Sequence, residues 1–239
     1  MSVINKGEFM ELYISELALE TTRRCQFECG HCMRGDAQNK DGDIKHVKEL
    51  LQDVNLIEGI NFTGGEPFLN VSFIEEVLGL VQKRKIAVRY FYIATNGIIF
   101  NKVTPYSIRC LRAILDWWCY CDDKEICSLE VSDTQWHRQQ GSGKDALNNM
   151  LGALSFAQTR STEMTYDNLI PVGRGANIAS GRRSPFYNCE PEDPHCMVYL
   201  SVHGGVMWGC DFDYETTDED AISIQEALSI IRQLQLEEC

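Results

Sequence analysis

Cys25-Gln-Phe-Glu-Cys29-Gly-His-Cys32 sets three thiols at the spacing C-x3-C-x2-C, just after an apolar segment, Leu12 to Leu19. That segment reads as the first strand of a domain, with Leu17 and Leu19 alternating against Glu16, Ala18 and Glu20. Three ligands from one short loop hold three irons of a cubic iron–sulfur cluster and leave the fourth iron without a protein ligand. An open coordination position is what chemistry needs, and a closed four-cysteine site does not offer it. On spacing alone the triplet also fits half of a zinc site, with His31 or His46 as a fourth ligand, or three buried thiols.

Working outward, Gly59 to Phe62 is a short buried strand, and it ends at Thr63-Gly64-Gly65-Glu66-Pro67. The cysteine triplet and this turn, in this order and separation, resemble the cluster loop and the GGE motif of the radical SAM enzymes. The resemblance covers roughly residues 12 to 175. It implies a [4Fe-4S] cluster on Cys25, Cys29 and Cys32, with S-adenosylmethionine chelated at the open iron. Reductive cleavage then yields a 5′-deoxyadenosyl radical that abstracts hydrogen from a substrate. It also implies that Gly64, Gly65 and Glu66 receive the methionine amino group, and that His31, where the family commonly has an aromatic residue, lies near the adenine. Thr95 and Asn96 would reach the cofactor, Ser132 and Asp133 its ribose hydroxyls, and Arg174 its carboxylate, since guanidinium forks suit carboxylates. An electron donor such as flavodoxin or ferredoxin is a further expected partner.

The rest of the chain fits strand-then-helix units. Ile44, Val47, Leu50, Leu51 and Val54 recur at helical spacing and predict a helix over 43–55. Ser72-x-x-Glu75 resembles a capping box, followed by the helical face Phe73, Val77, Leu80 and Val81. Arg89 to Thr95 is a third strand, and Thr104-Pro105 starts a helix bearing Ile108, Leu111 and Leu115. Ser128 to Val131 is a fourth strand, with Trp136 and His137 beyond its exit as residues that face the substrate or serve the fold. Leu147, Met150, Leu151 and Leu154 mark the next helix, and Thr162 to Leu169 reads as a fifth strand. Every candidate site residue falls on a loop after a strand, the common functional rim of such barrels.

From residue 182 the pattern changes. Val198 to Val202 and Val206 to Trp208 read as a hairpin about Gly204-Gly205, then an acidic loop runs from Asp211 to Asp220, and a helix carries Ile224, Ala227, Leu228 and Ile231 on one face. Cys189, Gly205 and Cys210 have the spacing C-x15-G-x4-C, which resembles the opening of the SPASM and twitch extensions of peptide-modifying members. No run of cysteines follows Cys210. The alternatives here are one auxiliary cluster, a zinc ion on Cys189, Cys196 and Cys210, or a hairpin without metal. Cys110, Cys119, Cys121 and Cys127 are expected to be buried free thiols.

The chain has 239 residues, 44% hydrophobic and 24% charged, with a formal net charge of −13. That balance argues against a nucleic-acid surface, which needs clustered Lys and Arg. No apolar run approaches the ~20 residues of a membrane span, and eleven cysteines without an export signal point to a reducing cytoplasm. The expected fold is an α/β incomplete (β/α)6 TIM-like barrel over residues 1–181, with a small C-terminal β-hairpin and helix cap over 182–239. The expected function is a radical reaction on a peptide, protein or small-molecule substrate. A non-catalytic metal-binding regulatory protein on the same fold is the alternative.

Overall fold

The computed structural model describes residues 12–141, 144–160, 169–179, 189–191 and 197–237. Among these, one seven-stranded sheet runs in the order β5-β4-β3-β2-β1-β6-β7. Strands β1 (Leu12–Thr22), β2 (Val54–Gly64), β3 (Ala87–Thr95), β4 (Ser128–Ser132) and β5 (Ala157–Arg160) are parallel, each beside its predecessor. Strand β6 (Val198–Leu200) pairs parallel with the other edge of β1, and β7 (Val206–Trp208) returns antiparallel. The sheet is open, with β5 and β7 at its edges, as the expected α/β incomplete barrel requires. Parallel pairing puts the exits of β1 to β5 on one edge of the sheet, so their exit loops become neighbours.

Alternation along each strand sorts the two faces. Leu17 and Leu19 pair with Ile60 and Phe62, which pair in turn with Phe91 and Ile93, and all six are fully buried beneath the helices. Helix α1 (Ile44–Leu50) follows β1, α2 (Val71–Arg84) follows β2, and α3 (Pro105–Tyr120) follows β3. Cys110, Ala113, Ile114 and Trp117 of α3 recur at i, i+3, i+4 and i+7 and form its buried stripe. Trp117 packs edge-on to Phe62 and donates its indole N–H to the Ile74 carbonyl of α2 at 3.1 Å, which satisfies its one polar atom inside the core. The opposite sheet face is polar, carrying Glu16, Asn61, Tyr90, Tyr92, Glu130 and Arg160 in register.

Several elements differ from the sequence reading. Helix α1 ends at Leu50, and Val54 opens β2 because Val54 pairs with Leu12 of β1. Val54 is apolar at helical spacing, and long-range strand pairing overrode that periodicity. Ser72 and Glu75 form no capping box: α2 begins at Val71, and both side chains instead hold Arg109 of α3. The Asn70 side chain before α2 is turned away, donating to the Thr21 carbonyl at 3.0 Å. A true capping box lies at Thr104, whose hydroxyl and that of Ser107 each accept the other's backbone N–H. Between β4 and β5 the chain makes α4 (Gln135–Gln139) and a short α5 (Lys144–Ala146) that widens into a π-turn over Leu147–Leu151. The expected strand at 162–169 falls largely outside the described residues, and β5 lies before it.

The hairpin forms where expected, and Gly204 takes φ +82°, where a Cβ would meet the His46 ring at 2.7 Å. Because β6 pairs with β1, the hairpin extends the main sheet. The expected acidic loop folds from Tyr214 to Asp220 into helix α6, capped by the Asp213 carboxylate accepting Thr216 N–H at 2.8 Å. Helix α7 (Ile224–Glu237) buries the expected face of Ile224, Ala227, Leu228 and Ile231. Its Gln235 amide donates to the Tyr13 carbonyl and accepts the Tyr13 N–H, occupying the β1 edge beyond the reach of β6. Cys110, Cys121 and Cys127 are buried as expected, whereas Cys119 is exposed at the end of α3.

Candidate active site

The cysteine loop leaves β1 and is packed against the exit of β2. Gly65 N–H donates to the Thr22 carbonyl at 2.7 Å and Glu66 N–H to the Arg24 carbonyl at 2.8 Å. The two glycines make this approach possible. Gly64 has φ +117°, and a Cβ there would stand 2.2 Å from the Thr22 oxygen; a Cβ on Gly65 would stand 2.2 Å from the Arg24 oxygen. The glycine pair is thus the surface on which the start of the cysteine loop rests.

Glu66 turns inward. Its fully buried carboxylate accepts the Thr95 hydroxyl at 2.6 Å, the Asn96 N–H at 2.8 Å and the Phe68 N–H at 3.4 Å. It thereby ties the exit of β2 to that of β3. Burial pushes its pKa up to about 7 despite these three donors. Asn96 continues the linkage, its side-chain oxygen accepting Gln26 of the cysteine loop at 3.2 Å.

Cys29 is buried, and Cys25 and Cys32 are half-buried, all as free thiols. Burial pushes Cys25 up to about 11 and Cys29 up to about 12; the charges of Glu66 and Cys32 add to the rise at Cys25, and those of Cys32 and Cys25 to the rise at Cys29. The Arg174 guanidinium acts in the opposite direction on both. Arg174 is brought there by its own loop: its backbone N–H donates to the Cys32 carbonyl at 2.9 Å. Gly173, at φ +56°, leaves no room for a Cβ against the Met33 carbonyl, 2.3 Å away.

The fourth exit adds an aromatic group. His31 stacks on Trp136 with ring centroids 4.6 Å apart and meets His137 edge-on at 5.3 Å. His137 Nδ1 is 2.7 Å from the Thr134 hydroxyl. Burial holds both imidazoles neutral, with pKa values lowered to about 4. Asp133 is buried and forms an ion pair with Arg138 at 3.4 Å, and Ser132 ends β4 opposite Arg160. The structure therefore brings His31, Gly64, Gly65, Glu66, Thr95, Asn96 and Arg174 around the three cysteines, with Ser132 and Asp133 at the adjoining exit. Trp136 and His137 pack on the cysteine loop itself.

The donor set fits a cluster and a polar cofactor. Among the described residues, Asn96 Nδ2 and His31 Nδ1 are buried without a hydrogen-bond partner, which buried polar atoms ordinarily have, and Arg174 Nε has only the exposed Asp36 carboxylate, 3.7 Å away. All three border the cysteine loop, so a bound group offering acceptors and donors completes the site. Among the described residues no three His, Cys, Asp or Glu side chains gather closely enough to hold a single metal ion. His46, one of the zinc ligands considered from spacing, lies at the hairpin turn against Gly204. Cys189 is tied by its N–H to the Trp208 carbonyl, Cys210 contacts Asp211, and Cys196 lies outside the described residues.

Sequence reasoning missed the residues that hold the loop at its ends. Arg23 and Arg34 are buried, and their partners Glu20, Asp218 and Phe212 come from β1 and the C-terminal segment. Only the placement of two arginines just outside the cysteine triplet signalled them.

A largely parallel, open sheet thus presents a three-cysteine loop at its exit rim, flanked by a glycine pair, as the candidate active site. Residues 19–116 match the family model of the Radical SAM superfamily. The chain is 35% identical over 101 residues to the uncharacterized protein MJ0907 of Methanocaldococcus jannaschii, covering 40% of this chain and 35% of that protein. It is 22% identical over 222 residues to the putative peptide biosynthesis protein YydG of Bacillus subtilis, covering 83% of this chain and 70% of YydG. Over 58 residues it is 34% identical to the S-adenosylmethionine-dependent nucleotide dehydratase of Selenomonas ruminantium, covering 23% of this chain and 21% of that enzyme. The chain thus spans about a third of the first relative and a fifth of the third. Among solved structures, Streptococcus suis SuiB bound to precursor peptide SuiA aligns with a TM-score of 0.32 and 17% identity, over 50% of this chain and 24% of SuiB.

Proposed function

We propose that this protein is a radical SAM enzyme whose substrate is a peptide. The observation that carries the chemistry is the gathering at one rim of three loop thiols, the Arg174 guanidinium, and the buried Asn96 Nδ2 and His31 Nδ1, which have no hydrogen-bond partner among the described residues. When bound, a [4Fe-4S] cluster and S-adenosylmethionine supply one-electron cleavage of a carbon–sulfur bond and a 5′-deoxyadenosyl radical. Cys25, Cys29 and Cys32 hold the cluster. The backbone of Gly64 and Gly65 receives the ammonium end of the cofactor, and Glu66 holds the β2 and β3 exits, with Thr95 and Asn96, at fixed separation. Arg174 takes the carboxylate, since its backbone is tied to Cys32, its guanidinium charge reaches Cys25 and Cys29, and its one ion-pair partner among the described residues, Asp36, is solvent-exposed at 3.7 Å. His31, neutral and stacked on Trp136, belongs to the adenine end, and Ser132 and Asp133 to the ribose. A flavodoxin or ferredoxin supplies the electron.

The peptide assignment is supported by the likeness to YydG, which runs along most of this chain. The likeness to the nucleotide dehydratase supports a nucleotide substrate as the second reading, although it spans a much shorter stretch. No described helix is long and apolar enough to cross a membrane, and the free thiols suit a reducing cytoplasm. Anaerobic reconstitution tests the proposal: about four irons are expected at the loop, with 5′-deoxyadenosine released on adding dithionite and S-adenosylmethionine. Cys25→Ala abolishes release, whereas Cys189→Ala and Cys210→Ala leave it intact on a metal-free hairpin. Release stimulated by nucleotides and not by a peptide library reverses the substrate assignment.

A further inference from the structure

Two buried arginines bracket the cysteine triplet, Arg23 two residues before Cys25 and Arg34 two residues after Cys32. Arg23 forms a bidentate pair with Asp218 of α6, Nη1 and Nη2 donating at 2.8 and 2.7 Å, and also donates to Glu20 at 3.0 Å. Its guanidinium lies 4.5 Å from the centre of the Tyr214 ring. Glu20 in turn accepts the Val202 N–H at 2.8 Å. Arg34 donates to the Phe212 carbonyl at 2.8 Å and lies over the rings of Tyr199 and Phe212, 5.0 and 5.6 Å from their centres. Its own carbonyl accepts the Tyr214 N–H at 3.2 Å. Asp213, which caps α6, also accepts Gly173 N–H at 3.3 Å, next to the residue whose N–H holds Cys32.

Both ends of the cysteine loop are therefore seated on residues 199–218, far along the chain and beyond the segment matched by the family model. Within the triplet the loop is tied by Cys32 N–H to the Cys29 carbonyl and by Phe27 N–H to Cys25 Sγ, short-range links that leave its placement to outside contacts. We propose that Arg23 and Arg34 are positioning residues through which the C-terminal segment fixes the conformation of Cys25, Cys29 and Cys32. That these thiols hold a cluster rests on the function proposed above. That the arginines seat the loop does not.

The chain contains its own controls, because Cys119 is exposed and Cys110, Cys121 and Cys127 are buried in the main core. Iodoacetamide labelling of the full-length, metal-free protein, read residue by residue by mass spectrometry, tests the inference. In Arg34→Met, Cys25, Cys29 and Cys32 are expected to react about tenfold faster, the scale of a lost charge-assisted hydrogen bond. Cys110, Cys121 and Cys127 keep the wild-type rate, and Cys119 reacts rapidly throughout. Arg34→Lys, which retains the charge and one donor, recovers most of the protection. In iron-loaded protein a chelator extracts iron faster from Arg34→Met than from wild type.

Should Arg34→Met expose the core thiols as well, it has unfolded, and Asp218→Asn decides. There Glu20 still neutralises Arg23, and an increase of roughly threefold at the triplet alone is expected. Unchanged triplet labelling in the folded variants overturns the inference. A wild-type protein that never takes up iron overturns the radical SAM reading, and the labelling pattern still judges the seating of the loop.

Discussion

Glu66 makes a pH-dependent prediction that separates two roles for a buried carboxylate. Burial raises its pKa from 4.5 to about 7, so the fold favours the protonated form. The gap corresponds to about 3 kcal/mol at 1.36 kcal/mol per tenfold change in proton affinity. Since the folded pKa lies above the unfolded one, that contribution is fully present below pH 4.5 and is lost as pH rises through about 7. Gln at this position mimics the neutral acid: its NH2 can donate to Thr95 Oγ1, and its oxygen can accept the Asn96 N–H now made by Glu66 Oε2. Glu66→Gln should match wild type near pH 4.5 and exceed its stability by about 3 kcal/mol at pH 8. Urea unfolding of the metal-free proteins at several pH values measures the difference. A variant less stable at pH 8, or a difference that does not change with pH, would show that the three donors outweigh burial and that Glu66 is ionised in the fold.

Two glycines give opposite expectations for the same substitution. Gly65→Ala forces a Cβ against the Arg24 oxygen, so it should cost more than about 2 kcal/mol and lower iron uptake. Gly79→Ala, in α2 with nothing within 4 Å of the added Cβ, should raise stability by roughly 0.5–1 kcal/mol and leave iron uptake unchanged. Thermal unfolding and iron analysis check both. Trp117→Ala should cost roughly 3–5 kcal/mol, because it empties a fully buried position and removes the indole's hydrogen bond to the Ile74 carbonyl. Chemical denaturation measures that loss.

The parallel α/β order and the exit-loop position of the candidate residues were legible because they depend on local signals. Strand alternation, helical stripes such as that of α3, and the C-x3-C-x2-C spacing are set by residues within a few positions of one another. Where the reading failed, a distant contact had won. Val54 left its helical pattern to pair with Leu12, and Glu75 left its cap for Arg109. The acidic run at 211–220 read as loop, yet Asp213 caps a helix there and Asp218 reaches Arg23 across 195 positions of chain.

By itself the sequence determined that three thiols and a glycine pair would occupy neighbouring exit loops, because covalent spacing and strand order permit little else. Tertiary structure decided how those loops are held. Glu66 faces inward, His31 lies on Trp136, and the cysteine loop is seated on the C-terminal segment through Arg23 and Arg34. Buried charges must find partners wherever the fold supplies them, and no local pattern records which partners those will be.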